Sequence, residues 1–282
     1  EKTLDLFTFI EIGAIFCLNQ EGDYVTYVKS ANRAMEILLL VNVNPQGLSL
    51  SEICQQLDMP KSSTHELLHA MEQQKFLQLD GKRYKIGIRI FELGQTASRN
   101  LDILRAVRPH LKWLSSQSSM TTQFGILEKT EVIYLSKITS HEGIAVESQV
   151  GARMPAHATA LGKAMLSLLP EEVLDTNYET VVFEKFTAST IESASELRER
   201  LKEVKAKKFA EDHEEFTKGV YCLSVPVPSL REDTIGAISI SMPKDTWKQV
   251  EREKLIEKLH LAGTRIREGM KENNRQRSTS KK

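Results

Sequence analysis

Excess charge is what this chain most plainly lacks. Its 38 Lys and Arg balance 38 Asp and Glu, so the formal net charge at pH 7 is zero. No global field draws it to nucleic acid, and any such surface has to be local. Cysteine is scarce as well: Cys17, Cys54 and Cys222 are widely spaced, odd in number and without a Cys-x-x-Cys pair. That usage argues against a disulfide frame or a zinc ribbon and reads as a reducing cytoplasm. Long hydrophobic runs are missing too. "LFTFIEIGAIFCL" (6–18) covers thirteen residues with Glu11 inside it, and it has neither a basic leader nor an Ala-x-Ala site. Neither a membrane span nor a signal peptide is expected. There is no internal repeat, Gly-rich phosphate loop or Gly-x-Ser-x-Gly elbow, and no cofactor is expected.

What is present is an ordinary globular composition, 40% hydrophobic and 27% charged, over 282 residues. That length suggests about two domains. Residues 1–25 read as an atypical extension and residues 272–282 as a disordered tail. Between them the pattern becomes legible. "SANRAMEILLLVN" (30–42) places Ala34, Ile37, Leu38 and Val41 on one helical face. A second short helix follows, which Ser49 or Ser51 can cap, with Ile53 and Leu57 four apart. "KSSTHELLHAMEQQ" (61–74) buries Leu67, Leu68 and Met71 and leaves Ser62, Ser63, His65 and His69 to water; Pro60 suits its first turn. "FLQLDGKRYKIG" (76–87) then alternates about a two-residue turn at Asp80-Gly81.

Three short helices and a hairpin describe a winged helix-turn-helix over residues 26–88. Its third helix would enter a major groove through Lys61, Ser62, Ser63, Thr64, His65 and His69. Lys82, Arg83 and Lys85 of the hairpin would reach phosphates or the minor groove. Residues 26–100 carry nine basic and seven acidic side chains. So weakly basic a head needs dimerisation to hold an operator. Residues 89–104 read as a linker helix, with Gly94 and Pro109 as interruptions of the wider 88–117 run.

Residues 105–271 combine strand-like runs (121–128, 131–138, 143–150, 220–227, 234–242) with helices, among them 195–208 and 246–271. This suggests an α+β domain on an antiparallel sheet. In "AISIS", alternation puts Ser239 and Ser241 on one strand face. The helix beginning near His157–Thr159 presents unpaired N–H groups, an anion site that those serines and the Thr159 hydroxyl could complete. Arg153 and Lys163 are near in sequence, and spacing does not say whether either points inward. Two other readings stay open. Thr159, His157 and Asp212, or Cys222 with His213, could serve a small-molecule hydrolase. His157, Asp212, His213 and Cys222 could hold zinc. The reading taken is neither catalytic nor metal-binding.

Taken together, "KSSTHELLHAM", "MPAHATALGKAML" and "FAEDHEEFTKGVYCLSVPV…IGAISIS" resemble the IclR family of bacterial transcriptional regulators, from about Val25 to Met270. The resemblance implies a winged-helix reader and a GAF-like effector-binding domain. It also implies a homodimer or homotetramer on double-stranded operator DNA, controlling catabolic genes, often as a repressor, in response to a small carboxylate. Carried over by motif, Ala160, Leu161, Asp212, Cys222, Ser239 and Ser241 line the pocket. Leu161 is larger than the residue typical of keto-acid binders. Glu66 stands where many members carry arginine, either to read cytosine N4 or to face away and pair with a neighbouring base. A sensor whose head binds protein instead of DNA is the remaining alternative.

Overall fold

The computed structural model describes residues 28–140, 148–231 and 234–279. The chain divides into two compact units, residues 1–97 and 98–282. In the first, α1 (Lys29–Asn42), α2 (Leu50–Gln56) and α3 (Lys61–Gln73) pack with a hairpin of β1 (Leu77–Asp80) and β2 (Arg83–Ile86). Helical periodicity brings Ile37, Leu40, Val41, Ile53, Leu68 and Met71 into one core, closed by Leu77 and Tyr84 of the hairpin. Ser49 caps α2 in a capping box: its Oγ accepts from Glu52 N–H at 3.3 Å, and its own N–H donates to Glu52 Oε2 at 2.7 Å. Pro60 occupies the N-cap of α3, one residue before the first turn, with extended backbone. The hairpin turns at Gly81-Lys82, one residue later than expected, because Asp80 still pairs with Arg83 and Gly81 supplies the positive φ of +61°.

α4 (Ile88–Asn100) and α5 (Asp102–Ser118) follow as two helices. The break falls at Leu101, while Gly94 and Pro109 lie inside helices. Pro109 is tolerated because its missing N–H frees only one carbonyl. Ile103, Leu104, Val107, Leu111 and Leu114 meanwhile hold α5 to the core of the second unit.

That unit is built on a six-stranded, wholly antiparallel sheet in the order β5-β4-β3-β8-β7-β6. The strands are β3 (Thr121–Glu128), β4 (Glu131–Ile138), β5 (Arg153–Pro155), β6 (Ala210–His213), β7 (Val220–Arg231) and β8 (Thr234–Pro243). Of the run 143–150, residues 143–147 lie outside the described residues, and residues 148–150 form no strand. One sheet face carries Leu223, Val225, Ile238, Ile240 and Met242 against α5 and α10 (Arg252–Thr279). The other is covered by α6 (Ala160–Leu166), with α7 (Glu171–Tyr178) and α8 (Ala194–Lys207) behind it. A single turn, α9 (Lys244–Trp247), precedes α10, which runs to Thr279, past the point where the sequence suggested a disordered tail. Among the described residues no helix is long and apolar enough to cross a membrane.

Candidate nucleic-acid interface and ligand site

The first unit carries its short polar side chains outside. On α3, Lys61, Ser62, His65 and His69 are exposed and Ser63 is half-buried. Thr64 corrects the sequence reading. It lies four and seven residues before Leu68 and Met71, on the same buried face, and its Oγ1 donates to Pro60 O at 2.9 Å. A side chain so placed offers nothing to a groove. Glu66 is exposed and has no ion-pair partner among the described residues, so the pairing considered for it is not formed.

On the hairpin, Lys82 is exposed, whereas two of the three cations already have partners. Arg83 donates from Nε to Gly47 O at 3.0 Å and pairs with Glu52 at 3.3 Å. Lys85 pairs with Asp80 at 2.7 Å. Exposed pairs of this kind contribute about 0–1 kcal/mol, so a phosphate can displace them.

In the second unit, strand register decides which side chains share a face. Asp212 stands opposite Cys222, Cys222 opposite Ser241, and Ser241 opposite Thr121. The adjacent row is Ala210, Ser224, Ser239 and Gln123. Both rows belong to the face under α6. Asp212, Ser239, Ser241 and Gln123 are buried and Cys222 is half-buried. Ser241 Oγ and Ser239 Oγ both donate to Gln123 Oε1, at 3.2 and 3.4 Å. Gln123 Nε2 donates in turn to Ser148 Oγ, and Lys137 Nζ donates to Ser148 O at 2.8 Å. Cys222 Sγ lies 3.1 Å from Ser241 Oγ. Two hydroxyls therefore converge on one acceptor inside the protein.

α6 closes over these rows. Thr159 caps it, accepting from Gly162 N–H at 3.1 Å, so its oxygen is committed locally. Ala160 and Leu161 are buried in its first turn. Gly162 is required there: a Cβ would sit 2.1 Å from Ala156 O. Lys163, fully buried, donates to Glu215 Oε1, while Glu215 N–H donates to Asp212 Oδ1 at 2.8 Å. Burial pushes the Asp212 carboxyl up to about 7, against the pull of Lys163 and with help from Glu215.

The structure does not gather the other groups read from sequence. His157 packs against Phe183 and Tyr178, with ring centroids 4.8 and 6.5 Å away. Burial pushes it down to about 4, opposed by a hydrogen bond with the Glu184 backbone. His213 rests instead on Tyr221 and Trp247. Burial, then the Asp212 charge, raises the Cys222 thiol, which stays protonated and is a poor nucleophile. The four groups weighed as zinc ligands form no cluster among the described residues. Arg153 points to the surface, paired with Glu128 and Glu131. Sequence reasoning missed Gln123, Ser148 and Glu215. Gln123 left a trace, a polar side chain in step with Thr121 on one strand face. Glu215 left none.

The description "IclR helix-turn-helix domain" matches residues 30–81, and "Bacterial transcriptional regulator IclR C-terminal" matches residues 95–268. The HTH-type transcriptional regulator XynR of Escherichia coli K12 is 30% identical over 84% of this chain and 94% of its own length. KdgR of Dickeya chrysanthemi is 29% identical over 91% of this chain and 84% of its own. Among solved structures, an IclR transcriptional regulator from Alicyclobacillus acidocaldarius matches with a TM-score of 0.75 at 21% identity, covering 87% of this chain and all of its own. An IclR homolog from Microbacterium hydrocarbonoxydans, complexed with 4-hydroxybenzoate, matches with 0.72 at 22%, covering 86% of this chain and 99% of its own. These likenesses establish the fold. With both family matches in order along one polypeptide, the chain belongs to the IclR family of helix-turn-helix, DNA-binding transcriptional regulators.

Proposed function

We propose that the chain represses catabolic genes from an operator and is controlled by a small organic acid, without transforming it. The observation that carries this reading is the pair of buried hydroxyls, Ser239 and Ser241, sharing the single acceptor Gln123 Oε1. A ligand carboxylate is a stronger acceptor than an amide oxygen and can take both donors, releasing Gln123. Asp212, held near 7, is partly protonated at neutral pH, which lowers its repulsion of an arriving anion. Ala160 and Leu161 border the serine rows from α6, with Cys222 beside Ser241 and Thr159 at the helix cap. His157, in the turn just before α6, packs against Phe183.

On DNA, the reading set is Lys61, Ser62, Ser63, His65 and His69 with Lys82, Arg83 and Lys85. A dimer is supported by exposed apolar side chains in the first unit: Met35 and Leu39 on α1 of the head, and Ile88, Phe91 and Leu93 on α4, which follows it. Half-sites lie about 34 Å apart or multiples of it, so a modest rearrangement within a dimer breaks simultaneous contact. The test is thermal shift against pyruvate, gluconate and 4-hydroxybenzoate, followed by anisotropy on the chain's own upstream DNA. One of these acids should raise the melting temperature and alter DNA affinity in the wild type and do neither in Ser239→Ala/Ser241→Ala. Stabilisation undiminished in the variant would refute the site.

A further inference from the structure

The head is only mildly basic, and two of its three wing cations are already paired. Another part of the chain is better provided. Arg105, Arg108 and Lys112 on α5, spaced three and four residues apart, share one exposed helix face. With Ser98, Leu104, Pro109 and Arg99, which has a partner of its own, they line a concave surface of about 470 Å³ within the second unit. Among the described residues no carboxylate pairs with any of the three.

That is unlike α8, where four of the five Lys and Arg side chains are answered. There Arg198 pairs with Asp175, Arg200 and Lys207 with Glu203, and Lys202 with Glu199. A chain of zero net charge has carboxylates enough to answer α5 in the same way and does not. Helix stability gives no reason for the pattern either: Arg105 lies near the N-terminal end of α5, where the dipole favours anions. A concave surface on which Arg105, Arg108 and Lys112 stand unpaired around apolar Leu104 and Pro109 complements a phosphodiester backbone, held without reference to sequence.

We propose that Arg105, Arg108 and Lys112 of the second unit bind the phosphate backbone of duplex DNA, adding sequence-independent affinity to that of the head. The inference rests on the DNA-binding reading, and the experiment separates the two. The affinity of the full-length protein for its own upstream DNA and for a random-sequence duplex is measured across a KCl series by fluorescence anisotropy. Each phosphate that the protein no longer neutralises lowers the slope of log K against log[salt] by about 0.9. Arg105→Gln/Arg108→Gln/Lys112→Gln should therefore flatten the slope by at least that amount and weaken both duplexes by the same factor. Arg105→Lys/Arg108→Lys should keep the wild-type slope. Arg108→Gln alone provides the smaller step if the triple variant folds poorly.

If the wild type binds neither duplex, the DNA-binding reading fails and takes this one with it. If the wild type binds and the triple variant keeps its slope, this proposal alone is overturned. It is equally overturned if inorganic phosphate stabilises the wild type, the triple variant loses that stabilisation and the DNA slope is unchanged, since the surface would then be a site for a small phosphate.

Discussion

The two units use the same residue types in opposite ways. On α3 the hydroxyls of Ser62 and Ser63 face solvent or turn back on the backbone, and the helix is held by Thr64, Leu68 and Met71 beneath them. On the sheet, Ser239 and Ser241 are buried and fully engaged, so the fold itself depends on their partners. A polar group on the outside is free to meet a partner and costs the fold little. A polar group inside must be satisfied at all times, so any ligand has to replace a bond that already exists. The head is thus a surface, and the sheet face a buried network that the proposed acid would have to rearrange.

Substitutions break or sharpen that contrast, beginning with the steric foundation of the buried side. Gly162→Ala drives a Cβ to 2.1 Å from Ala156 O, so α6 cannot close over the sheet. It should cost more than about 4 kcal/mol or abolish folding, read by chemical denaturation. Lys163→Met leaves Glu215 buried without its cation and should cost about 3–5 kcal/mol, while Lys163→Met/Glu215→Gln recovers most of that loss. Equal losses in the single and double variants would mean that packing, not charge, holds α6 to that loop. Ser239→Ala/Ser241→Ala deprives Gln123 Oε1 of both donors and should cost about 1–3 kcal/mol, against less than about 0.5 kcal/mol for Ser62→Ala/Ser63→Ala. Similar costs for the two pairs would erase the contrast.

The subtlest effect lies in pH. The folded pKa of Asp212, about 7, stands above its ordinary 3.8, so the folded state holds a proton that the unfolded state releases. Its contribution to stability is complete below about pH 4 and is lost as pH rises towards 7. His157, pushed down from 6.5 to about 4, acts in the opposite sense over a similar window. Asp212→Asn should therefore make stability rise more steeply from pH 4 to 7 than in the wild type. A flatter profile would contradict the assignment.

Legibility in the sequence followed the range of the interactions involved. The helices of the head and the strands at 121–128 and 131–138 follow from local period, and they stand where the pattern put them. The parity of Ser239 and Ser241 was equally local. Thr64 was misplaced because its hydroxyl was read as surface although its spacing from Leu68 and Met71 puts it on their face, where it donates to Pro60 O. The linker was expected to break at Gly94 or Pro109, but core packing carried α5 through the proline and the break fell at Leu101. β6 is four residues long and announced itself by no pattern, and its pairing with β7 is what sets Asp212 opposite Cys222. Gln123 and Glu215 were hidden for the same reason. They meet their partners across 116 and 52 residues of chain, distances that no period reports.

Competition for two hydroxyls is the core of the proposed control. Its most direct measurement is the affinity of the protein for its own upstream DNA, with and without the acid that shifts its melting temperature, in the wild type and in Ser239→Ala/Ser241→Ala. The acid should change wild-type affinity several-fold and leave the variant at the acid-free wild-type value. A variant that still responds in full would show that the acid is held elsewhere and that the buried serines serve only the sheet.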